Sequence, residues 1–150
     1  MAATRMACDI GFGRSICIEY DSMGVQFNTY NTLPHGITTK VKAKCVDLSL
    51  KAWKKINDNL ESITLAFEKL RIDVTDPVAK IDLQLDKHIY LNITPNVACV
   101  NIRHYFFNTK TKSLCPGLPG IGLRCAEFEE LLKMIPEMNE LVCTQDVDDE

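Results

Sequence analysis

Three lysines on alternate positions, Lys40, Lys42 and Lys44 in Lys-Val-Lys-Ala-Lys, are the densest cationic feature of this 150-residue chain. Drawn as a strand, they place three ammonium groups on one face, with Val41 and Ala43 on the other. Such a face suits two tasks, meeting the phosphates of a nucleic acid or keeping a sheet edge soluble. The apolar phase then moves to Val46 and Leu48, which predicts a bulge near Lys44–Cys45. A second group couples cations to rings: Arg103, Tyr105 and Phe106, followed by Lys110 and Lys112 in a polar loop. Arg103 and Tyr105 fall on the face opposite Val100 and Ile102. Of the neighbouring Tyr105 and Phe106, one ring is expected in the core and the other is free to stack on a base. Tyr30 is the earlier counterpart of Tyr105, and Arg14 and Lys87 add weaker candidate cations on the first strands.

Other chemistries find no support. His35, His88 and His104 and the seven cysteines are scattered, with no Cys-x-x-Cys pair and nothing at metal-ligand spacing. His104 lies in a core phase and is expected to be a buried imidazole. The glycines of Pro116–Gly122 lack the Gly-Lys-Ser/Thr ending of a phosphate loop, and no hydrolase or metalloprotease motif occurs. The expectation is a protein that is not an enzyme and has no metal and no cofactor.

Composition narrows the class further. With 46% hydrophobic and 25% charged residues the chain can fill a core, which excludes disordered and collagen-like classes. No stretch approaches the roughly 20 apolar residues of a membrane span. The odd cysteine count points to free thiols in a reducing compartment, and Met1–Met6 lack the apolar core of a secretory signal. The formal net charge is −3, so nucleic-acid binding has to come from local charge. Residues 1–70 hold 9 basic and 7 acidic side chains, and residues 71–150 hold 8 and 13. Much of the second half's acid lies at a helix start (Glu127, Glu129, Glu130), where carboxylates are ordinarily stabilising. Four more acids, Asp146, Asp148, Asp149 and Glu150, are in a tail, 144–150, that is expected to be disordered.

The elements that must position these residues come in two copies. At an offset of 75 positions, Val25–Tyr30 overlies Val100–Tyr105, and Leu48 falls on Leu123 without a gap. Trp53, Ile56, Leu60, Ile63 and Phe67 then fall on Phe128, Leu131, Ile135, Met138 and Val142, each set at helical spacing. Ile16, Ile18 and Tyr20, and likewise Ile89, Leu91 and Ile93, alternate as half-buried strands. Ser49 is a natural N-cap, whereas its counterpart Arg124 is a poor one, and Pro136 predicts a kink in the second helix. The expected units are 8–69 and 80–143, joined by a linker at 70–79. The expected fold class is α+β, with two sheets each followed by one amphipathic helix. A unit of this size with one helix is marginal alone, so an intramolecular pseudo-dimer is favoured over two beads that each pair with another chain.

The second copy carries a recognisable order of residues. His88–Asn108 followed by Pro116–Leu132 resembles the C-terminal domain of the transcriptional coactivator positive cofactor 4. The resemblance rests on Ile102-Arg103-His104-Tyr105, the turn Pro116-Gly117-Leu118-Pro119-Gly120-Ile121, Leu123, and the helix-opening Phe128. The first copy keeps Val25, Phe27, Tyr30, Leu48 and Trp53 but not the Pro-Gly turn. The resemblance implies that each sheet is a curved antiparallel β-sheet, that the units dimerise through their helices, and that single-stranded DNA binds in channels of strands and loops. The family's basic turn is neutral here, Cys115–Gly120, and its stacking aromatic matches Phe106 in one copy but Asn31 in the other. The expected function is non-enzymatic single-stranded nucleic-acid binding in transcription, replication or recombination, in the nucleus. Expected partners are single-stranded DNA, with RNA left open, proteins of those machineries, and a further copy of the chain, but no membrane. The rival expectation is a scaffold protein, viral sources included, that keeps the fold with weakened binding.

Overall fold

A computed structural model of the protein describes residues 6–9, 15–32, 34–36 and 38–142. The first sheet contains β1 (Met6–Asp9), β2 (Ser15–Asp21), β3 (Gly24–Thr32), β4 (Thr38–Lys40) and β5 (Val46–Ser49). Helices α1 (Leu50–Asp58) and α2 (Leu60–Ile72) follow. The second sheet contains β6 (Ile81–Gln84), β7 (Ile89–Ile93), β8 (Cys99–Asn108) and β9 (Ser113–Arg124), and α3 (Cys125–Leu141) closes the fold. Both sheets are antiparallel, in the orders β1-β2-β3-β4 and β6-β7-β8-β9, with β5 also on β3.

Strand register repeats as the sequence does. Val25 faces Leu48 as Val100 faces Leu123, and Phe27 faces Val46 as Ile102 faces Ile121, each residue 75 positions from its counterpart. Tyr20 faces Val25 as Ile93 faces Val100, with a connection two residues longer in the second copy. Alternation places Ile16, Ile18, Val25, Phe27, Leu91, Ile93, Val100 and Ile102 on buried faces. The outer strands β1 and β6 were not foreseen: each has only four residues, too few for periodicity to stand out.

The helices depart from expectation in two places. The first stripe forms two helices, because Asn59 interrupts it at φ −111°, ψ 15°. The Asn59 Nδ2 donates to the Lys55 carbonyl at 2.8 Å, and the Asn59 N–H turns to the Ile56 carbonyl at 3.1 Å. The side chain thus takes the acceptor that the helix ladder would have used. Leu60, next to the break, is only half-buried, whereas Trp53, Ile56, Ile63 and Phe67 are buried. The break separates a segment packed on β3 and β5 from one packed on β6 and β7. Pro136, conversely, does not end α3, which runs unbroken to Leu141. Burial of Leu131, Ile135 and Met138 on either side holds the helix against the loss of one backbone hydrogen bond.

Caps fix both helix starts. Ser49 Oγ accepts from the Ala52 N–H at 3.2 Å. At α3 the buried Glu127 carboxylate accepts from the Arg124 N–H at 2.8 Å, so the cap is supplied three residues inside the helix.

One core joins the copies as a pseudo-dimer. The Phe67 and Phe128 rings meet edge to face at 4.8 Å and 61°. Trp53 Nε1 donates to Asn139 Oδ1 at 2.7 Å, Asn139 Nδ2 to Asn57 Oδ1 at 2.8 Å, and Asn57 Nδ2 back to the Trp53 carbonyl at 2.9 Å. This relay satisfies the polar atoms where α1 meets α3. Among the described residues, no helix is long and apolar enough to cross a membrane.

Candidate nucleic-acid interface

Both sheets bulge at the same place. In the first, Tyr30 pairs with Lys40 and Phe27 with Val46, so five residues, 41–45, stand opposite Asn28 and Thr29. In the second, Tyr105 pairs with Pro116 and Arg103 with Gly120, so 117–119 stand opposite His104. The surplus in the first copy closes a 3-10 turn at Lys42–Lys44, with the Lys44 N–H on the Val41 carbonyl at 2.9 Å. The lysines therefore do not line one face of a strand. Only Lys40 lies in a strand, and successive residues of a 3-10 turn point about 120° apart. All three ammonium groups are exposed. The turn lies against β9 of the other sheet, and Lys40 and Lys42 share a cleft there with His104 and Pro119. His104 is half-buried, not buried, because it faces this cleft between the halves.

Next to Pro119 on β9, Gly120 pairs with Arg103 of β8. Arg103 lies across Gly120: a Cβ there would come within 2.5 Å of Arg103 Cγ and 2.9 Å of its Cα. Arg103 Nη1 donates to the Gly117 carbonyl at 3.2 Å, which holds the guanidinium over the strand with donors to spare. Beside it Tyr105 Oη accepts from Asn92 Nδ2 at 2.6 Å, and its ring meets Tyr90 edge to face at 5.1 Å. Asn92, Asn101, Arg103, Tyr105 and Pro116 line one shallow groove.

Neither Tyr105 nor Phe106 enters the core. Tyr105 is half-buried on the groove, and Phe106 is 50% exposed with its ring beside Gly117. Phe107 (60% exposed) and Leu114, paired across β8 and β9, are also open to solvent. Phe107 was not singled out from sequence, yet adjacent rings on a strand must face opposite ways. Tyr90 and Asn92 were also missed, although they alternate with buried Ile89, Leu91 and Ile93. Lys110 and Lys112 are exposed at the β8–β9 tip, where Asn108 Oδ1 accepts from the Lys110 N–H at 2.9 Å.

The remaining candidates lie apart. Tyr30 donates to Glu19 Oε2 at 3.0 Å, and burial, then the Glu19 carboxylate, holds its phenol protonated above the ordinary value of 10.0. Its hydroxyl is thus committed within the sheet. Lys87 sits in the β6–β7 turn, not on a strand, because Asp86 Oδ1 takes its N–H at 2.7 Å. Arg14 and the acidic tail lie outside the described residues. Cys45, Cys115 and Cys125 are free thiols, and burial, with Glu129 adding, pushes the Cys125 thiol up. Among the described residues no cluster of three or more His, Cys, Asp or Glu could hold a metal. No family model, curated protein or solved structure matches this chain.

Proposed function

We propose that the chain is a non-enzymatic single-stranded nucleic-acid-binding protein, acting in transcription, replication or recombination. One observation carries the reading: the lysine turn of the first half lies against β9, the strand paired with β8, which carries Arg103, Tyr105 and Phe106 of the second. Cations for phosphates and open rings for bases are thus contributed by both halves on either side of the β8–β9 pair. Lys110 and Lys112 extend the cationic track beyond the rings.

A second reading, a scaffold that keeps the fold, is favoured by the net charge of −3 and the neutral Cys115–Gly120 turn. The exposed Phe106, Phe107 and Leu114 fit a protein contact as well as a base. Fluorescence anisotropy with labelled oligothymidylate over a salt series separates the two. Each phosphate neutralised contributes about −0.7 to the slope of log affinity against log salt. Replacing Lys40, Lys42 and Lys44 with Ala together should flatten that slope by about 2. Phe106→Ala should weaken binding by roughly 1–3 kcal/mol per stacked base and leave the slope alone. No affinity at low salt would hand the lead to the scaffold reading.

A further inference from the structure

The cleft between the lysine turn and the β8–β9 bulge has a volume of about 380 Å³, within the roughly 300–1,000 Å³ of small-molecule sites. Its wall includes one side chain with an unmet need. Asn28 lines the cleft and is 1% exposed. Its Nδ2 donates to Glu19 Oε2 at 2.7 Å, which sets the amide's orientation and leaves Oδ1 buried without a hydrogen-bond partner. A buried acceptor in that state is costly, and a ligand with an N–H donor relieves it. Asp47, on β5 at the same cleft, offers a second acceptor with negative charge. Lys40 and Lys42 stand at the cleft as cations, and the His104 and Pro119 rings supply flat walls.

We propose that this cleft binds one guanine nucleotide, with its phosphate on Lys40 and Lys42 and its base edge toward Asn28 Oδ1 and the Asp47 carboxylate. The proposal rests on the nucleic-acid reading and adds a base preference to it. Two acceptors lining one cleft call for two donors on one base edge, and guanine alone among the bases presents adjacent donors, at N1–H and the N2 amino group. Adenine sets an acceptor nitrogen beside its amino group, as does cytosine, and thymine and uracil flank a single N–H with two carbonyls. The phosphate excludes the bare base, because two ammonium groups beside a single carboxylate favour an anion. The same chemistry is carried by a free mononucleotide and by one unit of a strand, and the test separates them.

Anisotropy of the full chain is measured at low salt with labelled dT12 and with the same strand carrying one central dG, alongside calorimetry with GMP and AMP. The dG strand is expected to bind about tenfold tighter, the ratio that roughly 1.4 kcal/mol supports. Asn28→Leu should erase that preference. Because Asn28 is buried, Asp47→Asn serves as the variant that leaves the fold intact. It turns one acceptor into a donor and removes a negative charge beside Lys40 and Lys42, so it should cut the dG preference to about twofold or less while dT12 affinity does not fall. Selective GMP binding without a dG preference in strands would support the cleft with a free nucleotide as its occupant. If dG and dT12 bind alike and GMP no better than AMP, the cleft proposal is overturned while the nucleic-acid reading stands. If no strand binds but GMP binds selectively, the reverse holds.

Discussion

Phe67→Ala tests whether the two halves share one core. Phe67 is fully buried on α2, and its ring meets Phe128 of α3 edge to face at 4.8 Å. Truncating a buried Phe costs roughly 3–5 kcal/mol, a large share of the 5–15 kcal/mol that holds a domain together. Of that loss, about 0.5–1.5 kcal/mol belongs to the ring pair itself. Urea melts of the parent, Phe67→Ala, Phe128→Ala and the double variant close a cycle that isolates this term. Trp53 is the only tryptophan and is buried where α1 meets α3, so its fluorescence reports the junction while circular dichroism reports both sheets. The two signals should fall in one transition in the parent chain. Separate transitions, or a coupling below about 0.3 kcal/mol, would refute a shared core.

Gly120→Ala should destabilise by about 1–3 kcal/mol and displace Arg103, since the new methyl meets that residue's own backbone at 2.9 Å; chemical denaturation and the oligonucleotide assay read the two effects. Glu127→Ala should cost about 1 kcal/mol by freeing the Arg124 N–H, and Glu127→Gln should recover most of it by keeping the acceptor, as thermal melts would show. The fold holds the Tyr30 phenol protonated above its ordinary 10.0, so this contribution is complete below pH 10 and is lost as pH rises through the raised value. Denaturation midpoints from pH 8 to 11 should therefore drop less steeply in Tyr30→Phe than in the parent.

The paired sheets were legible because burial forces period two on strands and a three-four spacing on helices. Ile16, Ile18, Leu91 and Ile93 obey the first, and Phe128, Leu131, Ile135 and Met138 the second. What misled was chemistry that acts through single side chains. Asn59 broke a helix that its apolar neighbours alone would have continued. Pro136 failed to break one whose flanking residues are buried. The lysine alternation read as a strand, but strand pairing on β3 leaves room for two residues where the chain supplies five, and a count of that kind is visible only once register is fixed. At the candidate interface Arg103, Tyr105 and Phe106 were legible as cation and rings. The cleft that His104 shares with Lys40 and Lys42 was not, since it is made by residues more than sixty positions apart.

The unequal bulges carry a consequence for direction. Two identical chains related by a true two-fold axis would offer a bound strand the same surface whichever way it was threaded. Here one bulge is a five-residue lysine turn and the other a neutral three-residue Gly-Leu-Pro stretch, so the halves differ in chemistry although their core register repeats. On the proposed reading, a strand crossing from one half to the other would pass from a lysine turn to rings accompanied by Arg103, Lys110 and Lys112. Its two threading senses are then no longer equivalent, and a single chain of two dissimilar halves acquires a polarity that a symmetric pair could not express.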